Sequence, residues 1–247
     1  MNIGRTIFRN IRIGISCSPN LYIPLRRMAG RTDGLAEVGT QLVIEGFPRS
    51  GNSYAEAAIR WSQRDTLKLA HHTHSAAHVL WAIKNRIPVL VVFRNPIDAI
   101  TSLVQHEPER YAFSDSIREY ISFHSALFRS QDSIVFSPFQ QTTNGFPDVI
   151  RNINRKFNLD LRTYEDNSNE NREIFNLLNR LSQSRKTIDG DTEPYSPDVA
   201  LELKLRRKET RERLIEELTS SGRYASILAE SMDVYRRLEN IYISGTA

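Results

Sequence analysis

The chain holds a single cysteine, Cys17, among 247 residues, so it forms no intrachain disulfide and builds no cysteine-based zinc site. A reducing, cytoplasmic setting is the expectation. Nor is there an uninterrupted apolar stretch near the roughly 18–20 residues that span a bilayer. The mildly apolar stretch 13–23 is broken by Ser16, Ser18, Pro19 and Asn20, and no transmembrane segment is expected. Acid is missing from the first 32 residues, which carry Arg5, Arg9, Arg12, Arg26, Arg27 and Arg31 before the first carboxylate, Asp33. The net charge of +4 is thus a basic N-terminus added to a remainder with 27 basic and 29 acidic groups. A protein that coats DNA or RNA would spread its cations over the folded domain, so no nucleic-acid partner is expected. An arginine-rich, acid-free start fits a surface extension, and it also has the character of a targeting segment or of a peripheral membrane contact.

What is present is ordinary globular material, 40% hydrophobic and 25% charged, enough for one domain. There is no internal repeat. From Gln41 the run Leu-Val-Ile leads through Glu45-Gly46 into Phe-Pro-Arg-Ser-Gly-Asn-Ser, after which Tyr54 to Trp61 reads as helix. A second buried strand is Val89 to Phe93, stopped by Arg94-Asn95-Pro96, whose proline suits the first turn of a helix running past Ser102. Ser133 to Phe136 is a third strand candidate, and Val149, Ile150, Ile153 and Phe157 recur at helical spacing. Continuous apolar strands alternating with helices indicate the α/β class, a single domain with a central parallel sheet covered on both faces. The boundaries expected are a basic N-terminal extension over 1–40 and a domain over 41–247. Within the domain a polar insertion or lid is placed at about 165–197, with a possible helix near Ile174–Leu181, and C-terminal helices at about 198–241.

Gly46-Phe-Pro-Arg-Ser-Gly-Asn-Ser53 has the spacing of a phosphate-binding Walker A loop, in which backbone N–H groups and a helix N-terminus surround an anion. The lysine slot is Asn52, and the available cation is Arg49, inside the loop. A nucleoside triphosphatase also needs a carboxylate at a neighbouring strand end to hold magnesium. Here one strand ends in Arg94 and the other runs into Ser137-Pro138. A P-loop phosphotransferase or NTPase is therefore the lesser reading, and a metal-free phosphate site the preferred one.

The loop, followed some 45 residues on by Arg94-Asn-Pro-Ile-Asp-Ala-Ile-Thr-Ser102, resembles the sulfotransferase superfamily over about residues 41–160. That resemblance implies a P-loop-like three-layer fold with a helical C-terminal part. It also implies 3′-phosphoadenosine 5′-phosphosulfate (PAPS) as the donor, no metal, and a small-molecule or carbohydrate acceptor with a hydroxyl or amine. Arg49 would contact the 5′-phosphate and the bridging oxygen, and Ser50, Gly51, Asn52, Ser53 and Tyr54 would form the phosphosulfate cradle. Arg94 and Ser102 would hold the 3′-phosphate. The family's C-terminal basic segment has two counterparts here, Ser184-Arg185-Lys186 and Arg206-Arg207-Lys208, both also readable as solvated helix charge.

For the general base there are two candidates. Thr73-His74 matches the Thr-His of the family's Lys-Thr-His-Leu stretch, with His72 in place of lysine, and Glu56 in the loop helix is the competitor. A nucleotide-binding relative without a working base is the non-catalytic alternative. His71, His72, His74 and His78 also invite a zinc reading, which the lack of a cysteine or carboxylate beside them in sequence disfavours.

Overall fold

The computed structural model describes residues 11–189 and 201–246 except Asp65, with 185–189, 201–204 and 246 at the backbone level only. Residues 11–16 are helical. The labelled elements follow in chain order. They are α1 (Pro19–Met28), β1 (Leu42–Gly46), α2 (Asn52–Ser62), β2 (Leu69–His71), α3 (Ala76–Lys84), β3 (Val89–Phe93), α4 (Pro96–His106) and α5 (Phe113–Leu127). A 3-10 stretch (Phe128–Ser133) leads to β4 (Val135–Pro138), α6 (Phe139–Asn144), α7 (Phe146–Phe157), α8 (Ser168–Asp189), α9 (Leu201–Ser220) and α10 (Ala225–Thr246).

The four strands form one parallel sheet in the order β2-β1-β3-β4. Successive side chains of a strand face opposite ways, so a sheet covered on both sides needs apolar residues at every position. β1 and β3 meet that demand. Leu42 and Ile44 of β1, with Leu90 and Val92 of β3, pack with Ala58 and Ile59 of α2 and Ile150 of α7. Val43, Val91 and Phe93 pack on the other face with Ile100 of α4, Ile117 of α5 and Leu238 of α10. The result is helices, sheet and helices in three layers, the α/β architecture expected from the sequence. Each fully buried Val, Leu, Ile or Phe contributes about 1.5–3 kcal/mol.

Three expectations change. The first is an edge strand, β2, that the sequence reading passed over; three residues carry too little apolar pattern to register. Strand β4 starts at Val135 rather than Ser133, because the 3-10 stretch closes with Ile134 N–H donating to Gln131 O at 3.1 Å. In the polar stretch, the possible helix near Ile174–Leu181 is present but longer, Ser168–Asp189, and its Ile174 and Leu178 are buried in the second core. Trp61 Nε1 donates to Glu170 at 2.6 Å and Tyr54 OH to Asn171 at 3.1 Å, which fastens α8 to α2. Residues 190–197 lie outside the described residues.

The described part of the N-terminal extension is likewise packed on the domain. Ile23, Leu35 and Ala36 are buried, Tyr22 OH donates to Thr73 O, and Ser75 Oγ donates to Ser16 O. Arg5 and Arg9 lie outside the described residues. Among the described residues no helix is long and apolar enough to cross a membrane.

Candidate nucleotide site

Three crossings leave the sheet at the carboxyl ends of adjacent strands, the edge at which open parallel sheets bind ligands. Register decides who meets whom. Gly46 sits beside Val92, so the loop after β1 and the Arg94-Asn95 turn after β3 emerge together. Ile44 sits beside His71, which delivers His72 to His74 next to Glu45 and Gly46.

The loop after β1 is shaped by two glycines and a strained arginine. A Cβ on Gly46 would lie 2.2 Å from Val92 O and 2.9 Å from Asn52 Oδ1, so only glycine allows β1 to approach β3 while turning. Gly51, at φ +102°, precedes α2, and no side chain caps that helix. The first N–H groups of a helix have no intrahelical acceptor, so this end is receptive to an anion. Arg49 is itself left-handed, at φ +66°.

Around this loop the cations gather. Arg49 Nε donates to Ser102 Oγ at 3.1 Å, and an Arg94 Nη donates to Arg49 O at 3.1 Å. The Arg94 guanidinium stacks 4.1 Å from the Phe139 ring centroid. Tyr120 OH donates to Arg94 O at 2.8 Å, fixing the turn from below. Arg211 of α9 pairs with Asp98 of α4. Burial lowers the Arg94 pKa to about 10; Asp98 opposes the shift, while Arg211 and Arg49 add to it. Arg94 remains charged at neutral pH, in a group of three guanidiniums with one carboxylate. An anion would relieve that imbalance.

The predicted cradle residues divide. Ser50 Oγ is buried and has no hydrogen-bond partner. The Asn52 amide, expected to face the phosphosulfate, instead donates to Phe47 O at 3.1 Å and braces the loop, its Oδ1 buried without a partner. Ser53 Oγ lies 2.9 Å from His72 Nε2. Tyr54 does not belong to the cradle by its side chain. Its ring packs edge-on against Phe146 of α7 and Phe175 of α8 in the second core.

The histidine turn depends on a residue the sequence reading did not single out. Glu45, fully buried at the end of β1, accepts Thr73 N–H at 2.9 Å, Thr73 Oγ1 at 2.7 Å, His74 N–H at 2.9 Å and His78 Nδ1–H at 2.9 Å. The His78 tautomer follows from its other nitrogen, which accepts Ala36 N–H at 2.9 Å. Burial pushes the Glu45 carboxyl up, but the His78 hydrogen bond, electrostatic attraction to His78 and His74 and the Thr73 hydroxyl outweigh it and hold the group below its ordinary value. The grip has something to restrain. His72 and His74 both adopt left-handed backbone, at φ +61° and +51°, a conformation that costs a non-glycine residue about 1–3 kcal/mol. A carboxylate inside an otherwise apolar buried strand was the signal available in the sequence.

His74 Nδ1 donates to Gly46 O at 2.8 Å, which leaves Nε2 as the ring's acceptor. The ring lines a cavity of about 610 Å³ together with Phe47, Pro48 and His72. Glu56, the rival base, is absent from that lining. Its carboxylate is fully buried, accepts Arg60 Nε at 2.9 Å and lies 3.0 Å from His71 Nε2. The fold thus brings carboxylates to three of the four histidines, Glu56 to His71 and His72 and Glu45 to His78, contrary to the sequence expectation. Ligand atoms of Glu56, His71 and His72 lie within 4.8 Å of one another. Each also sits in a hydrogen-bonded chain: Arg60 to Glu56, Glu56 to His71, His71 Nδ1 to His72 Nδ1 at 2.8 Å, and His72 to Ser53. His74 and His78 serve other partners.

Of the C-terminal basic segments, Arg185 and Lys186 have side chains outside the described residues. Arg206 and Lys208 are exposed, while Arg207 is half-buried with its carbonyl accepting Gln105 Nε2 at 3.1 Å. Arg211, one turn on, is the cation of α9 that reaches Asp98 and influences Arg94. Sequence reasoning stopped at Arg206–Lys208; the i, i+4 relation of Arg207 and Arg211 on one face of α9 was the overlooked sign.

Fold and site together define a parallel α/β domain with an anion-receptive strand, loop and helix, flanked by placed arginines. No family model matches the chain, and no curated protein sequence matches it. Among solved structures it is similar to mouse sulfotransferase SULT7A1 complexed with PAP, at 12% identity and a TM-score of 0.41, over 85% of this chain and 91% of that one. A likeness of that degree is too slight to assign a family.

Proposed function

We propose that the chain is a sulfotransferase that uses PAPS as donor and a hydroxyl or amine of a small molecule or carbohydrate as acceptor. The observation that carries this reading is the convergence of Arg49, Arg94 and Ser102 on a glycine-shaped loop, with His74 held beside it by Glu45 and Gly46. A donor with two separated anionic groups fits the residues present. The buried, unpartnered Ser50 Oγ and Arg94 Nε, the uncapped start of α2 and the surplus of guanidinium charge all call for acceptor oxygens.

Ser50 to Ser53 and Arg49 would hold the 5′-phosphosulfate, and Arg94 with Ser102 the 3′-phosphate. Arginine suits both tasks, because its planar fork binds two oxygens at once. When bound, the donor supplies an electrophilic sulfuryl group, whose sulfur bonds to the acceptor oxygen or nitrogen as its bond to the phosphate oxygen breaks. His74 Nε2 accepts the acceptor's proton. Arg49, oriented by Ser102, meets the negative charge that gathers on the leaving phosphate without having to move. Glu45 acts through His74 and is a positioning residue. A magnesium-dependent phosphotransferase is the weaker reading, since no carboxylate stands at the ends of β3 or β4.

The experiment is release of labelled sulfate from PAPS to a panel of phenols, amines and glycosides. Transfer that His74→Ala suppresses while nucleotide binding persists supports the reading. Turnover of ATP that requires magnesium, with none of PAPS, overturns it.

A further inference from the structure

We propose that the acceptor is itself an anion, a hydroxyl compound that carries a carboxylate near the hydroxyl. This rests on the sulfotransferase reading and names the substrate class of that same site.

The cavity lined by His74 is also lined by residues of the N-terminal segment, so the acid-free stretch of the sequence forms part of the pocket wall. Arg12, Arg26, Arg31 and Arg110 line it, and Glu119 is the single carboxylate among the lining residues. Glu119 is used up by Arg12, at 2.8 Å, and Arg110 pairs with Glu107 at 3.0 Å. Arg26 donates to the backbone oxygens of Arg31 and Asp33, at 2.7 and 3.0 Å, and so builds the turn that presents Arg31. Neither Arg26 nor Arg31 has a carboxylate partner among the described residues. Two guanidinium groups without a carboxylate partner, Arg26, which also stacks 5.9 Å from the Tyr22 ring, and the exposed Arg31, therefore line the same cavity as Phe47, Pro48 and His74. A carboxylate matches the fork of Arg31 and places a neighbouring hydroxyl toward His74. The same charges would raise the capture rate of an anion at low ionic strength.

The test uses the full chain and a matched pair, 4-nitrophenyl β-D-glucuronide and 4-nitrophenyl β-D-glucoside, which differ by a carboxylate in place of a hydroxymethyl group. Affinities are measured by calorimetry in the absence of donor, in low and moderate salt. The expected result is about tenfold tighter binding of the glucuronide, falling with salt and abolished by Arg31→Ala. Arg31 is exposed, so this variant keeps its melting temperature. Equal binding of the two glycosides, binding of neither, or a preference that Arg31→Ala leaves intact would overturn the proposal. So would an Arg31 dependence confined to sedimentation with phosphatidylserine vesicles, which would assign these arginines to a membrane surface. If the glucuronide preference holds but no sulfate moves from PAPS to either glycoside or any panel acceptor, the sulfotransferase reading fails while the anion pocket stands.

Discussion

Replacing Glu45 by glutamine tests the physical basis of the His72–His74 turn. The carboxylate accepts four hydrogen bonds, three at Oε1 and one at Oε2. A glutamine that keeps its amide oxygen at the Oε1 position retains the first three, weakened by loss of the charge. Its NH₂ group then faces His74 N–H, donor against donor. One charge-assisted bond to a buried group contributes about 1.5–3 kcal/mol, and the weakened remainder brings the expected loss to about 3 kcal/mol. For a domain of this size that is a fall of about 6–12 °C in melting temperature, readable by circular dichroism.

The pH dependence carries a sign. Because the folded Glu45 carboxyl lies below its ordinary value of 4.5, the stability it contributes is present above that value and lost as pH falls through the folded one. The glutamine variant should therefore lose less stability than the wild type on acidification below about pH 4.5. Released from Glu45, the left-handed His72 and His74 relax, and the expected outcome is a fall in the maximal transfer rate larger than any change in PAP affinity, which alters only through the His72–Ser53 contact. An E45Q protein as stable as the wild type, with an unchanged rate, would refute the positioning role.

Gly46→Ala forces a Cβ to 2.2 Å from the Val92 carbonyl, and the expected cost is about 3 kcal/mol or more, seen as loss of soluble folded protein or a sharply lowered urea midpoint. The two base candidates separate by kinetics: His74→Ala lowers the maximal rate by about 10²- to 10⁴-fold, whereas Glu56→Gln lowers stability and leaves the rate within about threefold. The reverse pattern would transfer the role to Glu56. His124, buried between Tyr120 and Phe123, has its pKa lowered from 6.5 to about 3 by burial, against a weaker opposing bond to the Tyr120 carbonyl. The unfolded chain takes up a proton there first, so stability drains as pH falls from 6.5 toward 3, and His124→Leu should flatten that part of the profile in denaturant titrations.

Much of the site was legible because its parts lie at strand ends, where apolar runs break abruptly. Val89–Phe93 stops at Arg94, and the run before Glu45 stops at Gly46, so the loop and the Arg94 turn could be located without coordinates, while the roles of Arg49, Arg94 and Ser102 were implied by the resemblance to the sulfotransferase superfamily. Their direct contact, Arg49 to Ser102, could not be located, because it depends on β1 pairing with β3 in one register. Glu45 was overlooked for a related reason: its partners lie 28–33 residues away and meet it only through the β1–β2 pairing. The side-chain directions of Tyr54, whose ring lies in the second core, and Asn52, whose amide braces Phe47 O, were not legible, because a motif says where a backbone runs and not which way a side chain turns. The α8 helix extends beyond the possible helix near Ile174–Leu181 because its apolar residues, Ile174 and Leu178 with Phe175, Leu177 and Leu181 packed around them, lie only in its middle, and its polar ends carry no such pattern.

The central claim is a nucleotide site that recognises a 3′-phosphate through Arg94 and a 5′-phosphate through the loop. Its direct test is the shift in melting temperature with adenosine 3′,5′-bisphosphate, compared with 5′-AMP and with ATP, for wild type and Arg94→Ala. At a ligand concentration about a hundredfold above Kd the stabilisation is about 2.7 kcal/mol, or roughly 5–10 °C. The account predicts that shift for the bisphosphate alone, and its loss in the variant. Equal responses to all three nucleotides, or a bisphosphate shift that survives Arg94→Ala, would contradict it.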